Sequence, residues 1–354
     1  MNPYKKLEPH CFWTKQVGNN TTSEIDYDPF PKFTFSREND AFATAGSCFA
    51  QHFARELKAR GGRYTVSEVA HPLMSKEENG WGTFSARYGN IYSVKQLREL
   101  LEQSFGRRKP IIDLAQRPDG RWVDLLRPRA VPLGFSSSEE AIADRVFHLS
   151  QVRRIFETAN VFVFTLGLTE IWTNVADGYA YPMCPGTAAG TYNPDEHEFK
   201  NSSFPEVYDD LMKSCELIHD QYPDCKILLT VSPVMLVASM EQRGAIQSSM
   251  VSKSILRLAA DVVKNELSYV DYFPSFEIIS GPQAKGQFFK DDARDVTPAG
   301  VMCVMDYFFK SRMHIGSDDI IRSNVDEHKN EGTPDIADLE AYFEVECDEI
   351  LLGS

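Results

Sequence analysis

The stretch Asn160-Val-Phe-Val-Phe-Thr-Leu-Gly-Leu168 constrains this chain more than any other. Its apolar residues run on without alternating with polar ones. That pattern suits a strand covered on both faces, the condition of a parallel sheet with helices above and below it. The run is far too short to cross a bilayer. "KILLTVSPV" (226–234) repeats the pattern, and "AFATA" (41–45), "TVSEV" (65–69) and "SYVDYFP" (268–274) supply further strand candidates. Between them lie helical periodicities. Residues 48–60 place Phe49, Phe53, Ala54 and Leu57 on one face and stop at Gly61-Gly62. The spacing predicts further helices over 94–105, 138–159, 204–222, 246–266 and 298–313, the last opened by Thr297-Pro298. "PIIDLAQRPDG" followed by "RWVDLLRP" (121–128) reads as a hairpin. Helices alternating with apolar strands indicate an α/β fold built on a mostly parallel central sheet.

The chain divides on composition into an N-terminal arm, a body and a tail. Residues 1–40 are polar and irregular, with Phe12, Trp13, Tyr27, Phe30, Phe33 and Phe35 expected to pin the arm onto the body. The α/β domain is expected over 41–315, with loop insertions at 79–93 and 173–200. An acidic extension, 316–354, ends in the helix candidate "IADLEAYFEVECDEIL" (336–351).

A net charge of -14 argues against a nucleic-acid partner, which demands a basic surface. The first residues, "MNPYKKLEPHCFW", lack the apolar core of a secretory signal. Seven cysteines without a Cys-x-x-Cys pair suggest free thiols in a reducing cytoplasm, with no disulfide framework. No metal or cofactor motif is present, so the expected partner is a small-molecule or glycan substrate.

In parallel sheets chemistry collects at the carboxyl ends of the strands. Gly46-Ser47-Cys48 stands there, between the first strand and a helix. Ser47 would expose a nucleophilic hydroxyl beside the positive end of the helix dipole, or act only as an N-cap. Cys48 is a rival nucleophile or a small buried residue. The turn has neither Gly-rich phosphate-binding signature. After the central strand, Gly167, Thr169 and Glu170 come within reach of this turn. Glu170 would serve as base, orient a base, bind a sugar hydroxyl, or simply favour a helix start. Ser232 fits turn structure after the next strand. Asp292 and Asp295 precede the last helix, either capping it or reaching the first turn.

"GSCFA" (46–50) is the name-giving motif of the GSCFA family, which is similar to SGNH-type hydrolases and acyltransferases. "NGWGTFSARYGNIYS" (79–93), "RWVDLLRP" (121–128), "FVFTLGLTEIW" (162–172), "LLTVSPV" (228–234) and "VDYFPSFE" (270–277) also resemble blocks of bacterial members. The resemblance spans roughly residues 40–313. It implies a three-layer α/β/α sandwich, flavodoxin-like and SGNH-like, with Ser47 in the nucleophile's place. Gly46, the Cys48 N–H, Gly82, Asn90, the Gly167–Thr169 turn and Ser232 would then line the oxyanion and substrate pocket. Two departures stand out. Thr169-Glu170 occupies the position of an Asn-Asp pair, and Asp292-Ala-Arg-Asp295 carries aspartate where Asp-x-x-His would supply the base. His52, His71, His148 and His197 are the remote candidates for that base.

The expected function is an esterase or acyltransferase acting on an acyl group, plausibly on a bacterial glycan, with Ser47 as nucleophile. The alternative is a divergent glycan- or nucleotide-sugar-binding protein or transferase. It would use Glu170 and Asp292/Asp295 without a serine triad.

Overall fold

A computed structural model describes residues 2–18, 20–47, 49–70 and 81–314 of the chain. Cys48, His71, the start of the 79–93 insertion and the 316–354 extension lie outside the described residues.

Five parallel strands form the central sheet: β1 (Ala41–Gly46), β2 (Arg63–Tyr64), β3 (Val161–Leu166), β4 (Lys226–Val231) and β5 (Val270–Tyr272). Their spatial order is β2-β1-β3-β4-β5. That is the flavodoxin-like, doubly wound order, in which the winding reverses between β1 and β3. The central strand β3 is buried along its whole length, as its unbroken apolar run requires. At about 1.5–3 kcal/mol per buried side chain, its five apolar residues contribute on the order of 10 kcal/mol before the entropy of ordering.

Register fixes which turns meet. Gly46 pairs with Thr165, and Val231 pairs with Leu166. The exits of β1, β3 and β4 therefore share one edge of the sheet. Helices α1 (Phe49–Ala59), α2 (Val94–Ser104), α3 (Ser138–Thr158), α4 (Phe204–Gln221) and α5 (Ala245–Glu266) flank the sheet, giving the three-layer α/β architecture. Local sequence starts them: Ser93 with Gln96, and Ser203 with Glu206, form capping boxes at α2 and α4. Ser137 caps α3.

Two expectations are corrected here. "TVSEV" is not a strand: the edge strand ends at Tyr64, Thr65 N–H makes the last bond to Phe42 of β1, and the Ser67 N–H goes instead to the Ser85 carbonyl. The segment after β3 is not a helix start, and 173–200 is not only loop. Glu170–Asn174 is the centre of an antiparallel sheet with Ala180–Tyr181 and His197–Asn201. Leu114–Gln116 and Trp122–Asp124 pair as a hairpin.

By contacts, the described residues of 40–272 form one compact unit, and those up to 39 form another with 273–314. In the second unit, Phe35–Ser36 pairs in parallel with Met313–His314. Helix α6 (Ser275–Ser280) is followed by α7 (Pro298–Arg312), whose Phe308 packs against Phe35 and Phe273. Arg312 is fully buried, donating to the Phe33 carbonyl at 2.9 Å and pairing with Asp28. The Tyr307 hydroxyl donates to Asp26 and accepts the Asp28 N–H. Trp13 and Phe30, expected among the pinning aromatics, stay exposed. No helix among the described residues is long and apolar enough to cross a membrane.

Candidate functional site

The carbonyls at the end of β3 hold the neighbouring exits in place. Thr165 O accepts the Ser47 N–H at 3.2 Å, and Leu166 O accepts the Ser232 N–H at 2.8 Å. Gly46 makes the first approach possible. Its φ of +138° is a region that L side chains avoid, and a Cβ there would sit 2.4 Å from Thr165 O. Gly167 makes a second. A Cβ on Gly167 would lie 2.8 Å from Tyr92 O and 3.4 Å from the Ser47 Cβ. Three chain segments thus converge on Ser47: the β1 exit, the β3 exit and the loop around residues 89–92. Ile91 N–H donates to Gly46 O, and the Gly167 and Leu168 N–H groups both donate to Tyr92 O.

Ser47 is 3% exposed, and its buried Oγ has no hydrogen-bond partner among the described residues. Buried hydroxyls are nearly always satisfied, so an orphan at this position calls for an explanation. Among the described residues, neither a histidine nor a carboxylate reaches it.

The expected supporting residues fare unequally. The Gly167–Thr169 turn is not an oxyanion hole: its first two N–H groups go to Tyr92 O, and Thr169 N–H goes to Ser252 Oγ. The Thr169 hydroxyl donates to Asn201 Oδ1. Gly82 accepts from Lys58 in the last turn of α1. Asn90 flanks the turn at Ser47, accepting from Gln51 Nε2 of α1 at 3.3 Å. Ser232 is turn structure, its Oγ accepting the Val234 N–H. Glu170 accepts from Ser239 Oγ at 2.7 Å and the Met240 N–H at 3.1 Å, fastening the loop after β4.

Asp292 and Asp295 belong to the other unit. Asp292 accepts the N–H groups of Arg294 and Asp295, and Asp295 pairs with Arg294 at 2.7 Å. Burial slightly opposes ionisation of Asp292, but those two N–H groups prevail and lower its pKa. Both side chains are spent on local structure.

Among the histidines, His52 is buried on α1 against Phe49. His197 Nδ1 accepts the Asn193 N–H. His148 is fully buried on α3, with Nδ1 2.7 Å from Glu68 Oε2. Burial, and then the Arg127 guanidinium, push His148 down to about 4. The imidazole is therefore neutral at pH 7, with Nδ1–H assigned as donor and Nε2 left without a partner. Burial alone would raise the pKa of Glu68. The His148 contact, with Arg87 and Arg127, holds it well below the usual carboxylate range. Asp124, Arg127, Asp144 and Arg145 complete this buried ionic cluster. It contains the carboxylate–imidazole half of a triad, yet no bond joins it to Ser47.

Two features were missed at the level of sequence. Lys253 is 2% exposed on α5, and its Nζ donates to Gly167 O at 2.6 Å, bringing a buried ammonium group beside the serine turn. The signal was its place in the stripe Ser249, Ser252, Leu256, Ala260 and Val263, where a lysine is out of character. The second is a cavity of about 330 Å³ next to the turn, walled by Tyr92, Leu168, Trp172, Phe199, Leu236 and Met240.

The sequence profile of the GSCFA family matches residues 41–308. This chain belongs to the GSCFA family. Comparison with curated proteins and with solved structures found no match.

Proposed function

We propose that this GSCFA protein is an SGNH-like esterase or acyltransferase with Ser47 as nucleophile. The observation that carries the reading is the orphaned Ser47 hydroxyl at the point where the sheet reverses its winding. In the step proposed, Ser47 Oγ forms a bond to the acyl carbon and the bond to the substrate's alcohol oxygen breaks. The serine proton leaves with the alcohol. Water, or a second hydroxyl such as one on a glycan, then takes the acyl group and restores the serine. The N-terminus of α1 and the Lys253 ammonium supply positive potential at this edge. Because the hydroxyl is closed off, substrate must part the wall made by Leu168 and the Tyr92 loop.

The absence of a base bonded to Ser47 favours a second reading, a glycan- or nucleotide-sugar-binding protein or transferase on the same scaffold. Against it, the carboxylates it would use are engaged in local hydrogen bonds. A fluorophosphonate probe separates the two. Labelling of the wild type that disappears in Ser47→Ala, with loss of aryl-ester turnover, is expected. Turnover in Ser47→Ala equal to wild type would sink the serine mechanism.

A further inference from the structure

The cavity beside Ser47 begins one residue from it. Leu168 lines the wall and follows Gly167, which touches the serine; Tyr92, which holds both N–H groups of that turn, lines it as well. Trp172 and Phe199 meet edge to face at 5.7 Å in its wall. A volume of this order suits a drug-sized ligand.

Several polar groups of the lining are already engaged. Gln96 Oε1 accepts the N–H groups of Tyr92 and Ser93. Glu170 takes Ser239 and the Met240 N–H, and the Tyr181 hydroxyl donates to Asp113 at 2.7 Å. What remains facing the space is mainly the carbon surface of Leu168, Ile171, Trp172, Phe199, Leu236 and Met240. A sugar placed there would lose water from its hydroxyls and find few replacements. A hydrocarbon chain loses nothing and gains burial.

Resting on the reading of Ser47 as an acyl-carrying nucleophile, we infer that this cavity receives the hydrocarbon chain of the acyl group. The substrate class is then a medium-chain fatty-acyl ester. From an acyl carbon on Ser47 Oγ, the chain would pass Leu168, which follows Gly167, and run on between Trp172, Phe199 and Met240.

The test uses the full chain and p-nitrophenyl esters of two, four, six and eight acyl carbons. Burying one methylene is worth about a fourfold gain. The hexanoate is expected to exceed the acetate on the order of 100-fold in kcat/KM. Ala238→Trp places an indole at the exposed rim and should collapse that ratio, while Ala238→Ser should keep it. Binding is read separately, from the tryptophan fluorescence of Ser47→Ala titrated with 1-decanol. Saturable binding there, abolished by adding Ala238→Trp, supports the assignment. If no ester is hydrolysed but decanol still binds and Ala238→Trp still blocks it, the cavity assignment stands and the serine mechanism falls. Rates flat with chain length and no decanol binding would overturn the assignment, as would methyl glycosides replacing decanol as the saturating ligand.

Discussion

The buried pair His148–Glu68 makes stability depend on pH in a defined window. An imidazole in the unfolded chain titrates near 6.5, whereas burial and Arg127 hold the folded one to about 4. Above 6.5 both states are neutral and the folded protein pays no protonation penalty. Between 6.5 and 4 only the unfolded chain takes up the proton, so stability falls as pH falls. The slope is about 1.4 kcal/mol per pH unit, and the loss about 3 kcal/mol across the window. Glu68, ionised in the folded state through Arg87 and the His148 contact, adds its own loss only below its unfolded value near 4.5. Urea unfolding at intervals between pH 4.5 and 7 measures the first effect cleanly. His148→Asn retains an N–H donor toward Glu68 but has nothing to titrate. Its stability should therefore decline with acid less steeply, by the single-proton slope. Equal slopes in the two proteins would refute the argument, as would an NMR titration of His148 in the folded state centred near 6.5.

Other consequences are simpler to check. Gly167→Ala puts a Cβ 2.8 Å from the Tyr92 carbonyl, so the turn must shift; a loss of roughly 1–3 kcal/mol in denaturant unfolding is expected. Slower fluorophosphonate labelling should accompany it, because the same shift moves Ser47. Arg312→Ala leaves Asp28 with its buried partner removed and should cost about 3–5 kcal/mol. Arg312→Lys should recover only part of that in the same unfolding experiment, since a lysine cannot reach both Asp28 and the Phe33 carbonyl with one planar fork.

The layers of this fold were legible because β3 and β4 carry unbroken apolar runs that only a two-sided burial accommodates. The edge strand was not. "TVSEV" alternates like a strand, but after Thr65 makes one last bond to Phe42 of β1, the Ser67 N–H turns to the Ser85 carbonyl and the ladder ends. A helix start favoured by the dipole was one of the readings open for Glu170, beside its roles as base or sugar ligand. The alternation in Glu-Ile-Trp-Thr-Asn, with Ile171 and Thr173 buried, carried the contrary signal. At the site, sequence located Ser47 and Gly46 but misjudged their surroundings. Gly167 matters for the space it leaves, not for its N–H. Asp292 and Asp295 resemble a catalytic position yet build a solvent-facing turn. Lys253 and the Trp172 cavity come from segments far apart in the chain, and nothing local announces that they meet the serine.

The pairing of Phe35–Ser36 with Met313–His314 joins residues 278 positions apart. A ribosome working at ~5–20 residues per second needs roughly 15 s to 1 min to bridge that interval. Throughout it, Phe33 and Phe35 have emerged while Phe308 and Arg312 do not yet exist. The nascent chain therefore carries a sticky aromatic leader for most of its synthesis. Helix α7 arrives only after almost 300 residues have been made, which makes the N-terminal arm a natural site of chaperone engagement and of aggregation when elongation stalls.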